Sequence, residues 1–224
     1  MNKKYNLAIY TTFCGSWKYK TFKRLIVNNL YEHFFISNNQ KVLKEVEKLG
    51  WKPLFLNEEI NEDKTISAIQ AKFAKAMPHK FSELKNYDYT FYIDDKGIPS
   101  IPKIEKSIEY LNNNNSSFGI RAHPWLQNNN LFEFAEAMDQ PRYKKEWFKT
   151  VEYISSSIKN GYKLEGQMYW TSAILRNMNH PDINKINELW FDHILKCGAN
   201  CQISFNFISQ KFNSISILPS DLTN

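Results

Sequence analysis

Apolar and polar positions follow two alternating periods through the first hundred residues. Residues 6–12 (Asn-Leu-Ala-Ile-Tyr-Thr-Thr) are an apolar, β-branched run that predicts a first strand, followed by a short loop through Gly15. Residues 32–37, with Phe34, Phe35 and Ile36, predict a second strand. The period then lengthens: Val42, Leu43, Val46 and Leu49 recur at helical spacing over 40–49, and Gly50 is a natural stop. Residues 51–56 predict a third strand. Over 65–77, Ile66, Ile69, Phe73, Ala76 and Met77 form one helical stripe that Pro78 ends. The aromatic run 87–93 predicts a fourth strand. Strands alternating with helices imply a mostly parallel sheet with helices on its faces.

The second half is less regular. Residues 101–111 predict a short helix, 117–121 a short strand, 131–139 a helix interrupted by Pro141, and 169–175 a strand. Ile183, Ile186, Leu189, Trp190, Ile194 and Cys197 define an amphipathic helix that starts after Pro181 and closes at Gly198. There is no internal repeat, and the asparagine runs 112–115 and 128–130 are too short to be linkers. The 224 residues read as one domain.

The fourth strand carries the most specific chemistry. Tyr87-Asp88-Tyr89-Thr90-Phe91-Tyr92-Ile93 runs directly into Asp94 and Asp95. In an open α/β sheet, ligands bind outside the carboxyl ends of the strands, where these acids emerge. A carboxylate at the end of a buried strand is costly unless a cation meets it. A hard divalent ion, Mn²⁺ or Mg²⁺, shared with a ligand's phosphates would serve. Equally, Asp94-Asp95-Lys96-Gly97 supplies ordinary turn chemistry.

Composition narrows the classes. Hydrophobic residues make up 42% and aromatics 15%, enough for a sizeable core. No apolar run reaches the roughly 20 residues of a membrane span, and the start of the chain resembles no secretory signal. Cytoplasmic placement is therefore expected, or placement peripheral to the inner face of a membrane. The net charge of +6 is spread along the chain, which fits compositional drift better than attraction to phosphate-rich partners or an anionic membrane surface, and no recognised nucleic-acid module is present. Cys14, Cys197 and Cys201 are odd in number and lack the second half of a zinc site, so all three read as ordinary buried or semi-buried thiols.

Several segments, in order, resemble a known family. They are Ile9-Tyr10-Thr11-Thr12-Phe13-Cys14-Gly15, Gly50-Trp51, Lys72 through Pro78-His79, Tyr87-Asp88-Tyr89 with Tyr92-Ile93-Asp94, Arg176 and His180 before the helix bearing Trp190, and Gln202-Ile203-Ser204-Phe205 after it. Together these are similar to the glycosyltransferase-like domain, formerly of unknown function, found in plant mucilage-biosynthesis proteins, and more broadly to nucleotide-sugar transferases of the GT-A fold. Three positions depart from that family: Ile36-Ser37-Asn38 stands where Phe-Thr-Asp is common, Cys201-Gln202 where Asp-Gln is, and Asp94-Asp95 where Asp-Gly is.

The resemblance implies a GT-A-like, Rossmann-like α/β fold, with a nucleotide-sugar-binding half over 1–100 and an acceptor-binding half over 101–224. It also implies sugar transfer from a nucleotide-sugar donor to a glycan, lipid-linked or surface-polysaccharide acceptor. Asp94 and Asp95 would hold the metal, with His180 as a third ligand or as a helix N-cap neighbour. Thr11, Thr12, Gly15, Lys72, Arg121, His123 and Gln202 would line the donor site. Lys72 is otherwise one of several solvated lysines with Lys75 and Lys80, Thr11 and Thr12 are otherwise strand-end threonines, and His123 a buried structural histidine. Gln167 and Trp170 suit an acceptor sugar, although core packing accounts for Trp170 as well. Glu133 and Glu136 share a helix face, and of these Glu136 is taken as the catalytic carboxylate, against a solvated face. The alternative functions are a non-catalytic module binding nucleotide sugars or polyanions, and a metal-dependent phosphoesterase.

Overall fold

The structure, a computed structural model, describes residues 3–16, 27–94, 100–126 and 129–223. Strands β1 (Leu7–Thr12), β2 (Glu32–Ser37), β3 (Lys52–Phe55), β4 (Tyr89–Ile93), β5 (Phe118–Ala122), β6 (Tyr169–Asn177) and β7 (Ile215–Ile217) form one mixed sheet in the order β3-β2-β1-β4-β6-β5-β7. β6 alone runs antiparallel to its neighbours, β4 and β5; the other pairings are parallel. The longer helices are α1 (Gln40–Glu47), α2 (Lys64–Ala76), α4 (Ile101–Asn113), α5 (Asn130–Ala137), α7 (Trp147–Lys159), α8 (Ile183–Cys197) and α9 (Cys201–Ile208). Single turns α3 (Ser82–Lys85), α6 (Pro141–Lys144) and α10 (Ser220–Thr223) complete the set.

Alternation along the strands assigns the two faces. Ala8, Tyr10, Phe34, Ile36, Tyr92, Ile120 and Ile174 point to one core, closed by α2, α8 and α9 through Ala74, Trp190 and Phe205. Leu7, Ile9, Phe91, Ile93 and Leu175 point to the other, under Ile101, Ile104, Ile108 and Leu111 of α4. α1 packs Val42, Leu43 and Val46 on Phe35 and Trp51, and Asn39 caps it by accepting from the backbone N–H groups of Lys41 and Val42.

α2 departs from its apolar stripe. Ile66 is exposed, whereas Lys75, which helical spacing leaves solvated, is 1% exposed. β6 also shifts register against β5 midway. Ile120 of β5 pairs with Ile174 but Arg121 pairs with Trp170, so Thr171, Ser172 and Ala173 are looped out of that ladder. Such an irregularity re-aims side chains near a sheet end. Separately, the regular antiparallel pairing of β6 with β4 puts the amino end of β6 beside the carboxyl end of β4.

Candidate functional site

Asp94 emerges from β4 where the sheet order reverses between β1 and β4, the crevice position of open α/β sheets. Its backbone N–H donates to Ser172 O at 2.8 Å. Its Oδ1 accepts from the Tyr92 hydroxyl at 2.5 Å and lies 3.5 Å from Lys75 Nζ. The cation meeting the strand-end carboxylate is thus one of the chain's own ammonium groups, which reading the aspartates alone does not find. Lys75 Nζ also donates to Thr171 Oγ1 at 3.3 Å and sits 4.8 Å from the centre of the Tyr92 ring. Burial pushes the Lys75 pKa below the ordinary lysine range, and Asp94 opposes that fall. The Asp94 side chain keeps 31% of its surface exposed, so the pair has one buried and one open partner.

A buried arginine fixes the backbone of Lys75. Arg176 is 0% exposed; it donates to Lys75 O at 2.8 Å, to Tyr10 OH at 2.9 Å and to Asn187 Oδ1 at 2.9 Å. Tyr10 OH donates in turn to Lys75 O at 2.9 Å, and burial pushes its pKa up to about 12. The guanidinium also lies 4.8 Å from the Phe118 ring centre and 6.0 Å from that of Trp190. Three donors on one guanidinium thus tie β1, β6 and α8 to the last turn of α2.

A second group of polar side chains adjoins this pair. Lys72, one helical turn before Lys75, is half-buried among Cys201, Tyr143 and Asp94. Burial opposes its charge, but these neighbours hold its pKa above the ordinary range. Cys201 opens α9 and contacts Thr171 Oγ1 at 3.4 Å. Although burial disfavours its thiolate, Lys72 and Lys75 pull the thiol below its usual range. All three cysteines are free and buried, as expected; burial raises the pKa values of Cys14 and Cys197. Glu133, 7% exposed, accepts from Asn200 Nδ2 at 3.0 Å, and burial raises its pKa.

The remaining expected positions divide between rim and elsewhere. Thr11 is buried at the end of β1 with a hydroxyl that has no partner among the described residues; Thr12 follows it, half-buried. Gly15 has φ +99°, and a Cβ there would lie 2.5 Å from Ser67 Oγ, so its loop admits only glycine. Asn38 and Asn39 hold that loop, Asn38 Oδ1 accepting from Gly15 N at 2.9 Å and Asn39 Nδ2 donating to Gly15 O at 3.0 Å. Arg121 stacks 4.5 Å from the Trp170 ring centre, and Trp170 packs against His123 and the exposed Trp125. His123 Nδ1 accepts from Leu126 N at 3.0 Å and its Nε2 lies 3.9 Å from Glu133. Gln167 is exposed and donates to the neighbouring Met168 O. Asp95 lies outside the described residues.

Two placements correct the expectations. Glu136 is exposed on α5, while Glu133 from the same helix points into the polar cluster. His180 sits at the opposite end of the sheet. Because β6 is antiparallel to β4, Asn177 pairs with Tyr89 and Ala173 with Ile93, so the chain reaches His180 beyond the amino end of β4. Five strand residues, about 16 Å, separate that end from Asp94. His180 Nδ1 instead accepts from Asp182 N at 3.2 Å. A His180→Ala variant is expected to keep whatever activity Asp94 supports within about twofold, with no change in metal dependence, as side-by-side rate measurements would show. Among the described residues no three His, Cys, Asp or Glu side chains are grouped to hold a metal ion. The residues that sequence reading missed are Lys75, Tyr143 and Asn200. A signal existed for Lys75, which lies three residues from Lys72 and so shares its helix face.

No protein-family model matches the chain, and no curated protein matches it. Solved structures do. Mouse xyloside xylosyltransferase 1, in its apo form, aligns with a TM-score of 0.51 at 12% identity, covering 96% of this chain and 84% of that one. The apo structure of the bifunctional glycosyltransferase WbbM aligns with a TM-score of 0.51 at 11% identity, covering 96% of this chain and 39% of that one. At such identities the similarity is one of fold, and the α/β architecture is that of GT-A-type glycosyltransferases.

Proposed function

We propose that the chain is a glycosyltransferase that moves a sugar from a nucleotide-sugar donor to a glycan or lipid-linked acceptor at the rim around Asp94. The observation that supports this most is a partly open carboxylate at the end of a central strand, on a GT-A-type sheet, paired with a buried lysine of the neighbouring helix. Residues 1–100 would bind the donor and 101–224 the acceptor. The unpaired Thr11 hydroxyl suits the nucleoside, and Lys72 suits the diphosphate, whose departure is the largest charge developed in the reaction.

Asp94 suits a hard divalent ion, Mn²⁺ or Mg²⁺, since such ions keep waters and need only one or two carboxylates besides substrate phosphates. When bound, the ion would neutralise the leaving diphosphate. Lys75 acts on the protein side, holding the Asp94 carboxylate in orientation. Trp170, Arg121 and His123 offer an aromatic and cationic wall for the acceptor sugar. A peripheral membrane contact would accompany a lipid-linked acceptor; among the described residues no helix is long and apolar enough to cross a membrane.

We assign the removal of the acceptor proton to Glu133, because it is the buried carboxylate of the cluster and its raised pKa brings it nearer the working pH of a general base. Glu133→Gln is expected to lower turnover by about a hundredfold or more and to abolish the acid limb of the pH–rate profile, an ascending limb displaced upward from the ordinary glutamate range. Glu136→Gln should stay within about twofold of the parent. Equal losses in the two variants, measured with a panel of uridine and guanosine diphosphate sugars, would remove Glu133 from this role.

A further inference from the structure

Helix α7 exposes apolar residues that its core contacts do not use. Its buried line is Thr150, Tyr153, Ile154 and Ser157, while Trp147 and Phe148 are 51% and 58% exposed and Val151 and Ile158 are exposed beside them. Trp147, Val151 and Ile158 lie within about 40° of one another around the helix axis, so they form one stripe along its length. Trp147 and Phe148 meet edge-on at its amino end, ring centres 5.6 Å apart. Leu131 of α5, also exposed, extends the apolar surface: it shares a helix face with Phe134, which packs into the cluster of Tyr153 and Ile154. Single exposed apolar side chains are ordinary, but a contiguous set that includes a tryptophan marks an interaction surface.

The charge around this stripe is basic. Residues 141–159 carry five basic and two acidic side chains, a net charge of +3. Of the two acids, Glu146 is turned inward: its carboxylate accepts from Ala199 N at 2.7 Å and lies 3.6 Å from Lys149 Nζ. Glu152 is the exposed acid of α7, and Glu136 stands on the side of α5 away from Leu131. Lys145 pairs with Asp63, but Arg142, Lys144 and Lys159 are exposed and have no carboxylate at ion-pair distance among the described residues. A second copy of the chain fits poorly, because an isologous contact sets this face, and its positive charge, against itself. An aromatic stripe beside unpaired cations suits an anionic membrane surface, where Trp and Phe enter the headgroup boundary and Lys and Arg meet lipid phosphates. Tyr143, in the turn before α7, adjoins Lys72, so a chain docked on this face keeps the Asp94 rim close to the bilayer.

We propose that α6, α7 and the exposed edge of α5 form a docking surface for an anionic lipid bilayer, with Trp147 and Phe148 at headgroup level and Arg142, Lys144 and Lys159 on its phosphates. Such a surface serves the lipid-linked form of the proposed function and rests on that reading for its purpose, yet vesicle binding needs neither donor nor turnover, so either can fail without the other. Co-sedimentation of the full chain with vesicles of phosphatidylcholine alone, and of equal parts phosphatidylcholine and phosphatidylglycerol, tests it.

The chain is expected to bind the mixed vesicles, with added salt weakening the binding, and to bind the neutral ones at least about tenfold more weakly. Trp147→Ser combined with Phe148→Ser should reduce binding to the mixed vesicles by about tenfold or more, with little change in melting temperature because both rings are more than half exposed. Arg142→Gln with Lys144→Gln should weaken it about tenfold and flatten its salt dependence. Phe55→Ser, at an exposed aromatic of the edge strand β3, should change nothing. Absence of vesicle binding, equal binding to neutral and anionic vesicles, or an equal loss in Phe55→Ser would overturn the proposal. So would a concentration-dependent dimer, seen by sedimentation velocity, that the double serine variant abolishes.

Discussion

Asp94→Asn is expected to lower glycosyl transfer by about a hundredfold to a thousandfold while the protein stays folded, the scale seen when one preorganised charge-stabilising group is removed. The amide keeps an acceptor for the Tyr92 hydroxyl and nearly the same shape, but it cannot hold a divalent ion or balance an ammonium. Stability also carries a signature. Lys75 is buried with its pKa already lowered, so between its folded and unfolded values the unfolded chain binds the extra proton and stability rises with pH. Removing Asp94 takes away the neighbour that opposes this lowering, and the window widens. The variant should therefore lose about 1–3 kcal/mol at neutral pH, at the low side for breaking a buried pair because Asp94 is partly exposed, and less at alkaline pH, where Lys75 is a neutral amine. Urea denaturation of parent and variant at the two pH values measures the difference. A pH-independent loss would mean that Lys75 is not answering to Asp94.

Arg176→Ala should produce the largest loss of stability among the substitutions considered, about 3–5 kcal/mol. The substitution removes a fully buried side chain, strands the Lys75 carbonyl and Asn187 Oδ1 without their Arg176 donors, and opens a cavity between Phe118 and Trp190. Arg176→Met would keep much of the volume and lose only the hydrogen bonds, so it should fall between Ala and the parent. Because Arg176 fixes the carbonyl of Lys75, both variants should also lose activity, in the order of their stability losses. A change under about 1 kcal/mol in Arg176→Ala would show that the guanidinium is not what ties α2 to the sheet.

The hydrophobic pattern was a good guide wherever one face of an element is simply apolar. β1, β2, β4 and α8 lie within a few residues of their predicted positions for that reason. It failed on α7, whose inward face is Thr150, Tyr153, Ile154 and Ser157, half of it polar, while Trp147, Phe148, Val151 and Ile158 face outward. It failed on α2 because Lys75 is buried for the sake of a carboxylate on another element, a pairing no local period encodes.

Of the candidate site, the sequence offered Asp94 but not the groups packed around it. Periodicity does not state strand direction, so the antiparallel course of β6, which carries His180 away from Asp94, was hidden. Glu133 and Glu136 were equivalent by spacing, and only the packing of α5 against the start of α9 separates them.

The central claim is that the Asp94 rim binds a nucleotide sugar, and donor binding by the Asp94→Asn variant tests it most directly. Thermal stabilisation by a panel of uridine and guanosine diphosphate sugars, with and without Mn²⁺, should single out one donor that stabilises the parent only when the metal is present and leaves Asp94→Asn unchanged. Stabilisation of both proteins to the same extent, or of neither by any donor, would contradict the account.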